Sequence, residues 1–301
     1  MMGICQQSLF VGLLASHLLF SGASASAGLL VTSLDTSTRL AFDSYRGDGF
    51  APNPTSTQLD SDHWRILGLS DGAGTYGGTY LSGDFARGQS TGGVTTGGIY
   101  AFNVDAGAGF DWALGFQPIG SDLTPGAATL MVTNATGTIV DQLDLAYRVL
   151  VRNDGDRSST FGFGYSSNDL DYEAIDSLQV TSTLLGDSIP EWTAIHRATR
   201  LSGLNLVSGA SLFLQWQLDD LSGTGSRDEW ALDDIELTFG SAPVSTVPEP
   251  ASWILVGLLC PAAVWPRRRQ SLASGRTPRL CEQARVVRRR LSALVEVLPL
   301  S

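Results

Sequence analysis

The alternation at residues 143–152 does most to limit what this chain can fold into. Leu143, Leu145, Tyr147, Val149 and Val151 alternate with Asp144, Ala146, Arg148, Leu150 and Arg152. Successive side chains on a strand point to opposite faces, so this spacing describes a strand with one face in a core and the other toward water. Asn153-Asp154-Gly155-Asp156 follows as a turn. Phe161, Phe163 and Tyr165 then alternate with Gly162 and Gly164, which predicts a hairpin partner. Leu212, Leu214, Trp216 and Leu218 share one face of a third strand, and residues 230–239 form a fourth. Shorter candidates are residues 98–104, 112–117, 128–133, 177–183 and 192–199. Between Gly28 and Thr246 no segment carries an apolar stripe at helical spacing with caps. Residues 68–98 are Gly/Thr-rich and predict long loops or edge strands. Many short strands separated by glycine-rich turns predict an all-β domain over residues 28–240, a two-sheet, jelly-roll-like sandwich.

Charge is divided along the chain. The net charge is −11, yet nine of the nineteen basic residues lie from Arg267 onward. Between Gly28 and Thr246 ten arginines stand against twenty-seven acids, a net of −17. Such a domain does not bind nucleic acid or an anionic membrane through charge. Its cysteines, Cys5, Cys260 and Cys281, all lie outside that span, so it has neither a disulfide framework nor a thiol nucleophile. The span is long enough to bury a core without such staples.

Both termini read as an export arrangement. Leu9–Phe20 is a short apolar run, and Ala23-Ser24-Ala25 and Ala25-Ser26-Ala27 offer small-residue cleavage sites, so residues 1–27 read as a signal peptide with a signal helix. Residues 241–250 form a Ser/Pro/Val-rich linker ending in Pro248-Glu249-Pro250, whose prolines hold an extended, accessible backbone. Residues 251–266 then predict a short transmembrane helix. From Ala251 to Trp265 it reaches roughly 22 Å, short of a hydrocarbon core of roughly 30 Å. Arg267, Arg268 and Arg269 open a basic cytoplasmic tail over 267–301 and place the preceding domain outside the inner membrane.

Val-Pro-Glu-Pro, an apolar run and an arginine cluster, in that order at residues 247–269, resemble the PEP-CTERM sorting signal of bacterial exopolysaccharide-associated proteins. The same segment is also called the ice-binding protein C-terminal domain, a label that implies nothing about ice. The resemblance implies recognition by an exosortase-type membrane protease through Pro248, Glu249 and Pro250, transient anchoring, and release to the cell surface or medium. One departure is that Gln270–Ser301 follows the arginines, where the signal normally ends. A second resemblance is to a secreted bacterial β-sandwich module of MAM-like and concanavalin-like type. It rests on Phe42-Asp43-Ser44-Tyr45-Arg46-Gly47, on residues 95–102, and on the 226–235 string closing in Ala231-Leu232-Asp233-Asp234-Ile235. It implies a fold and no particular activity.

Several local patterns suggest chemistry. In the fourth strand Asp233 shares parity with Ala231, Ile235, Leu237 and Phe239, which directs one carboxylate toward the apolar side. A buried carboxylate is paired or holds a cation. One reading is Ca²⁺ held by Asp219, Asp220, Asp228, Asp233 and Asp234 with backbone carbonyls. The other pairs Asp233 with an arginine such as Arg227, or with backbone N–H groups, and leaves the remaining acids solvated. The spacing matches no known Ca²⁺ loop, which favours the second. Trp64, Trp112, Trp192, Trp216 and Trp230 could supply an aromatic platform for sugars, although Trp216 has the parity of a core residue. Gly68-Leu69-Ser70-Asp71-Gly72 has the letters of a nucleophile elbow, and residues 72–77 those of a dinucleotide loop. Neither is followed by a helix-forming segment. Glu173 and Glu191 are candidate glycosidase acids that one sequence cannot place at a working separation. Two classes of function remain: a non-catalytic surface or matrix protein that binds glycan or protein, or a secreted carbohydrate-active hydrolase on the same fold.

Overall fold

The computed structural model describes residues 28–105 and 109–242. The leader at 1–27, the Pro248–Pro250 motif, the apolar segment at 251–266 and the basic tail at 267–301 lie outside these residues.

In chain order the strands are β1 (Leu29–Val31), β2 (Ser37–Leu40), β3 (Phe50–Ala51), β4 (Leu59–Asp60), β5 (Trp64–Leu67), β6 (Gln89–Ser90), β7 (Gly98–Asn103) and β8 (Trp112–Gln117). They continue with β9 (Gly126–Asn134), β10 (Val140–Arg152), β11 (Arg157–Ser166), β12 (Glu173–Ala174), β13 (Val180–Thr181), β14 (Trp192–Leu206), β15 (Ser211–Gly223) and β16 (Glu229–Gly240). Among the described residues there is no α-helix, only 3₁₀ turns at Gly83–Phe85 and Asp176–Leu178. The first sheet runs β1-β9-β15-β11-β12, with β5 also on β9 and β13 also on β11. The second runs β14-β10-β16-β8-β7-β6, with β2 on β16. The two sheets form a sandwich.

The core is what the alternations require. Leu143, Leu145, Tyr147, Val149 and Val151 from the second sheet meet Phe161, Phe163, Leu214, Trp216 and Leu218 from the first, all buried. Trp216 has no exposed surface and packs on Tyr147 at 5.6 Å, Phe163 at 5.6 Å and Trp64 at 5.9 Å between ring centroids. Each such ring adds roughly 0.5–1.5 kcal/mol beyond its buried area.

Two expectations change. First, β10 and β11 are not a hairpin. Both edges of β10 are taken, by β14 and β16, and β11 pairs β15 in the other sheet. Residues 153–156 therefore cross between sheets. Asp228 accepts the Gly155 N–H at 2.9 Å, and the Asn153 amide donates to the Leu185 carbonyl at 2.9 Å. Alternation fixes which face is buried, not which strand lies alongside.

Second, Asp233 does not share the face of Ile235. Arg148 sits opposite Asp233 but Ala146 opposite Glu236, and Asp234 has φ 51°. This bulge inserts one residue and flips the parity. Trp230 and Leu232 before it, and Ile235, Leu237 and Phe239 after it, all face the core. Asp233 lies on the outer face with Ala231, yet it is only 1% exposed. Its cation is Arg148, at 2.5 Å, not Arg227, which pairs with Asp220. Burial pushes the Asp233 carboxyl up to about 6, and the nearby Asp234 charge adds to this, outweighing the backbone hydrogen bond and Arg148 that pull it down.

Candidate functional site on the outer face of the first sheet

In β15 the odd positions are the consequence of the even ones. Leu212, Leu214, Trp216 and Leu218 enter the core, so Phe213, Gln215 and Gln217 stand on the opposite face. Register aligns them across the sheet. Arg65, Thr129, Gln215 and Gly164 form one row through β5, β9, β15 and β11. Leu67, Ala127, Gln217 and Gly162 form the next.

The first row is roofed. Loop 167–172 lies at its end, with the Asn168 side-chain carbonyl accepting the Leu170 and Asp171 N–H groups at 2.9 Å each. Arg65 clamps Asp169 with two hydrogen bonds of 2.6 Å, and the Tyr172 hydroxyl donates to the same carboxylate at 2.6 Å. Burial works against the Arg65 charge, but the Asp169 bonds more than offset it and hold its pKa above the ordinary value. The guanidinium also lies over the Tyr76 ring at 5.0 Å, and Tyr76 leans on Phe213 at 6.1 Å. Burial raises the Tyr76 and Tyr172 phenols, so both are neutral hydroxyls at physiological pH. Beneath them Thr129 and Gln215 are 0% and 5% exposed. Gln215 donates to the Thr129 hydroxyl at 3.0 Å, and Gln217 donates to the Gln215 carbonyl at 2.5 Å.

The second row is more open: Ala127 is buried, Leu67 and Gly162 are half-buried, and Gln217 reaches solvent. Gln217 is exposed at the end of this amide chain. A Cβ built on Gly162 would meet nothing within 4 Å. Beside the roofed row this leaves a shallow trough over Ala127, Gln217 and Gly162, bordered by the Tyr172 phenol and the Arg65–Asp169 ion pair, while Tyr76 packs on Phe213 at the far side of that row. Such a surface presents amide donors and acceptors beside apolar ring faces, the mixture that orients a polar ligand with apolar patches. The Tyr76 hydroxyl is buried without a hydrogen-bond partner in the roof over the first row.

The outer face of the second sheet is arranged differently. Loop residues Gly93 and Val94 are tied down by the buried Glu229 carboxylate at 2.8 and 2.7 Å, covering Tyr100, Phe102, Leu150 and Ala231. Burial raises the Glu229 carboxyl. Beyond that loop, an open groove of about 350 Å³ lies over Ala146, Ala198, Glu236 and Thr238, rimmed by the Arg200–Asp144 ion pair. Its one cation, Arg200, is paired with Asp144, Glu236 adds a negative charge, and its lining contains no aromatic ring, so the trough on the first sheet is the stronger candidate.

The acids named for Ca²⁺ do not converge. Asp219 and Asp220 lie on β15 of the first sheet, and Asp220 accepts from Arg157 and Arg227. Asp228, buried just before β16, accepts the Gly155 N–H, while Asp233 and Asp234 share Arg148, and Asp234 also takes Arg39. Among the described residues no group of three or more His, Cys, Asp or Glu side chains is placed to hold a metal ion. Guanidinium groups stand where a cation would, so this donor set does not fit a resident Ca²⁺. The tryptophans form no platform either: Trp64, Trp112, Trp216 and Trp230 are buried, and Trp192 donates its indole N–H to the Thr91 carbonyl on the other sheet. Ser70 is a loop anchor whose hydroxyl donates to Asp84 at 2.6 Å, with no helix after it. Glu173 accepts from Tyr165 at 2.7 Å on β12, while Glu191 precedes β14 of the other sheet. Sequence reasoning missed Arg65, Tyr76, Asp169, Tyr172, Gln215 and Gln217. For the two glutamines the signal was present, as the polar half of an alternation whose apolar half was recognised.

The chain matches no protein-family model and no curated protein. Among solved structures it is similar to a cleaved adhesin domain of Lys-gingipain from Porphyromonas gingivalis, at 14% identity over 69% of this chain and 99% of that one, with a TM-score of 0.37. It is similar to the xylan-binding module CBM15 at 10% identity, over 69% of this chain and 99% of that one, with a TM-score of 0.34. The CBM22-1 xylan-binding domain of Paenibacillus barcinonensis Xyn10C is 10% identical over 71% of this chain and 98% of its own, with a TM-score of 0.31.

Proposed function

We propose that this chain is an exported, non-catalytic β-sandwich protein that binds glycan in the trough over Ala127, Gln217 and Gly162. The observation that carries the reading is a solvent-open strip of amide and glycine beside phenol rings, on a sheet face whose central row is already hydrogen-bonded and rigid. Pre-organisation of this kind lowers the ordering cost of binding. Two of the carboxylates flanking the face are engaged, Asp169 by Arg65 and Tyr172, and Glu173 by Tyr165, which supports binding without turnover. Delivery to the surface would fall to the terminal segments: the leader at 1–27, exosortase recognition at Pro248–Pro250, and transient anchoring by 251–266 before Arg267, Arg268 and Arg269.

The test of binding is a panel of immobilised polysaccharides probed with the full chain, solubilised in a nonionic detergent without a sugar headgroup. Gly162→Leu serves as the control, because its side chain would fill the trough without touching the fold. Binding by the wild type and its loss in Gly162→Leu is the expected result; equal binding by both would refute the site. Mass spectrometry of the mature termini in cell fractions tests export, and a full-length chain recovered only from cytosol would refute it.

A further inference from the structure

We infer that the glycan taken by this face is neutral, and that polyuronates and sulfated polysaccharides are excluded. The inference rests on the proposed binding site and adds its charge selectivity. A polyanion needs unpaired guanidinium or ammonium groups to replace its counterions and water. The chain has no lysine. Arg65 is the one cation on the rows of this face, and both of its terminal nitrogens are occupied by Asp169. Most other arginines among the described residues also have a carboxylate partner. Arg39, Arg87, Arg148, Arg152, Arg157, Arg200 and Arg227 each bond a carboxylate. Arg46 and Arg197 bond only backbone carbonyls and keep their charge, but Arg46 lies over the Trp112 ring of β8 and Arg197 is on β14, both in the second sheet.

Around the trough the remaining charges are negative. Asp219 is exposed one row beyond Gln217, and Asp171 and Glu173 are exposed beside the roof. The uncharged groups on and beside the trough are the Gln217 amide, the Gly162 backbone and the Tyr172 phenol of the bordering row. They suit hydroxyls and the apolar faces of sugar rings. A carboxylate brought to this strip would be desolvated beside like charges with no counterion, which costs more than its hydrogen bonds to an amide return.

The experiment compares the full chain on neutral polysaccharides (dextran, mannan, xylan) with alginate, polygalacturonate and a sulfated glycan, at low and at physiological salt. The expected result is binding to at least one neutral polymer, little changed by salt and lost in Gly162→Leu, with the Gly162→Leu-sensitive part of acidic-polymer binding weaker by about tenfold or more at low salt. Asp219→Arg should then raise binding to polygalacturonate at low salt while leaving neutral binding within about twofold. Acidic polymers bound as well as neutral ones and lost in Gly162→Leu would overturn the inference and leave the glycan site standing; salt-sensitive binding that Gly162→Leu leaves intact belongs to the arginines from Arg267 onward and upholds the exclusion at this face. Binding to none of the polymers would overturn the site and the inference together.

Discussion

Asp233→Asn isolates one desolvated carboxylate and gives a pH signature whose size follows from the structure. Asp233 is 1% exposed, and its carboxyl is raised from 3.8 to about 6, with burial as the largest cause. Arg148 bonds it, but Arg148 is shared with Asp111 and Asp234, and Arg39 is drawn to Asp234, so one cation serves several acids. In the folded state the group takes up a proton below about pH 6, whereas in the unfolded chain it does so only near 3.8. Between those values the native state binds more protons, so its stability falls as pH rises. Roughly two pH units at about 1.4 kcal/mol each give about 3 kcal/mol below pH 3.8, of which about 2.4 kcal/mol is present at pH 4 and nearly all is lost by pH 7. Buried Asp228 and Glu229 are also raised, so the wild-type curve alone does not isolate Asp233. The difference between wild type and Asp233→Asn does. Urea unfolding at pH 4, 5, 6 and 7 should show the wild type gaining about 2.4 kcal/mol relative to the variant between pH 7 and pH 4. Parallel stability curves would refute the claim that burial outweighs the Arg148 pairing.

The remaining predictions concern the core, a turn, a loop and the metal. Trp216→Ala removes a fully buried ring in contact with Tyr147, Phe163 and Trp64 and should cost about 3–5 kcal/mol in urea unfolding. Gly49→Ala places a Cβ 2.0 Å from the Tyr80 carbonyl at φ +87°, and should cost at least about 2 kcal/mol and lower the melting temperature. Glu229→Gln weakens the charge-assisted hold on Gly93 and Val94, and should speed amide exchange at residues 91–97 without altering β9, β11 or β15. Titration calorimetry with millimolar Ca²⁺ should give no heat and no thermal shift, since guanidinium groups occupy Asp220, Asp233 and Asp234. A saturable heat would show that a site forms despite them.

The all-β, two-sheet character was legible wherever alternation was strict. The Leu143–Val151 series and the 212–218 series both put their apolar halves in the core, because burial of one face is a local property of a strand. Residues 177–183 failed as a strand: a 3₁₀ turn occupies Asp176–Leu178, and only Val180–Thr181 pairs. Pairing was not legible, as β10 and β11 show, because partners are chosen by tertiary contact. The bulge at Asp234 could not be read either. One extra residue with positive φ reverses every parity argument beyond it, and an aspartate tolerates that conformation well enough to leave no mark. The candidate site was half visible. Gln215 and Gln217 follow from the alternation around Trp216, but Arg65, Tyr76, Asp169 and Tyr172 reach the same face from separate loops and strands. No spacing in the sequence announces that convergence.

Hydrogen exchange of the full chain, with and without a soluble neutral polysaccharide, tests the central claim most directly. Protection should appear in β9, β11, β15 and the 167–172 loop, and Gly162→Leu should abolish it. Protection confined to β10, β14 and β16, over the groove lined by Ala146 and Ala198, would place the ligand on the opposite sheet and contradict the account.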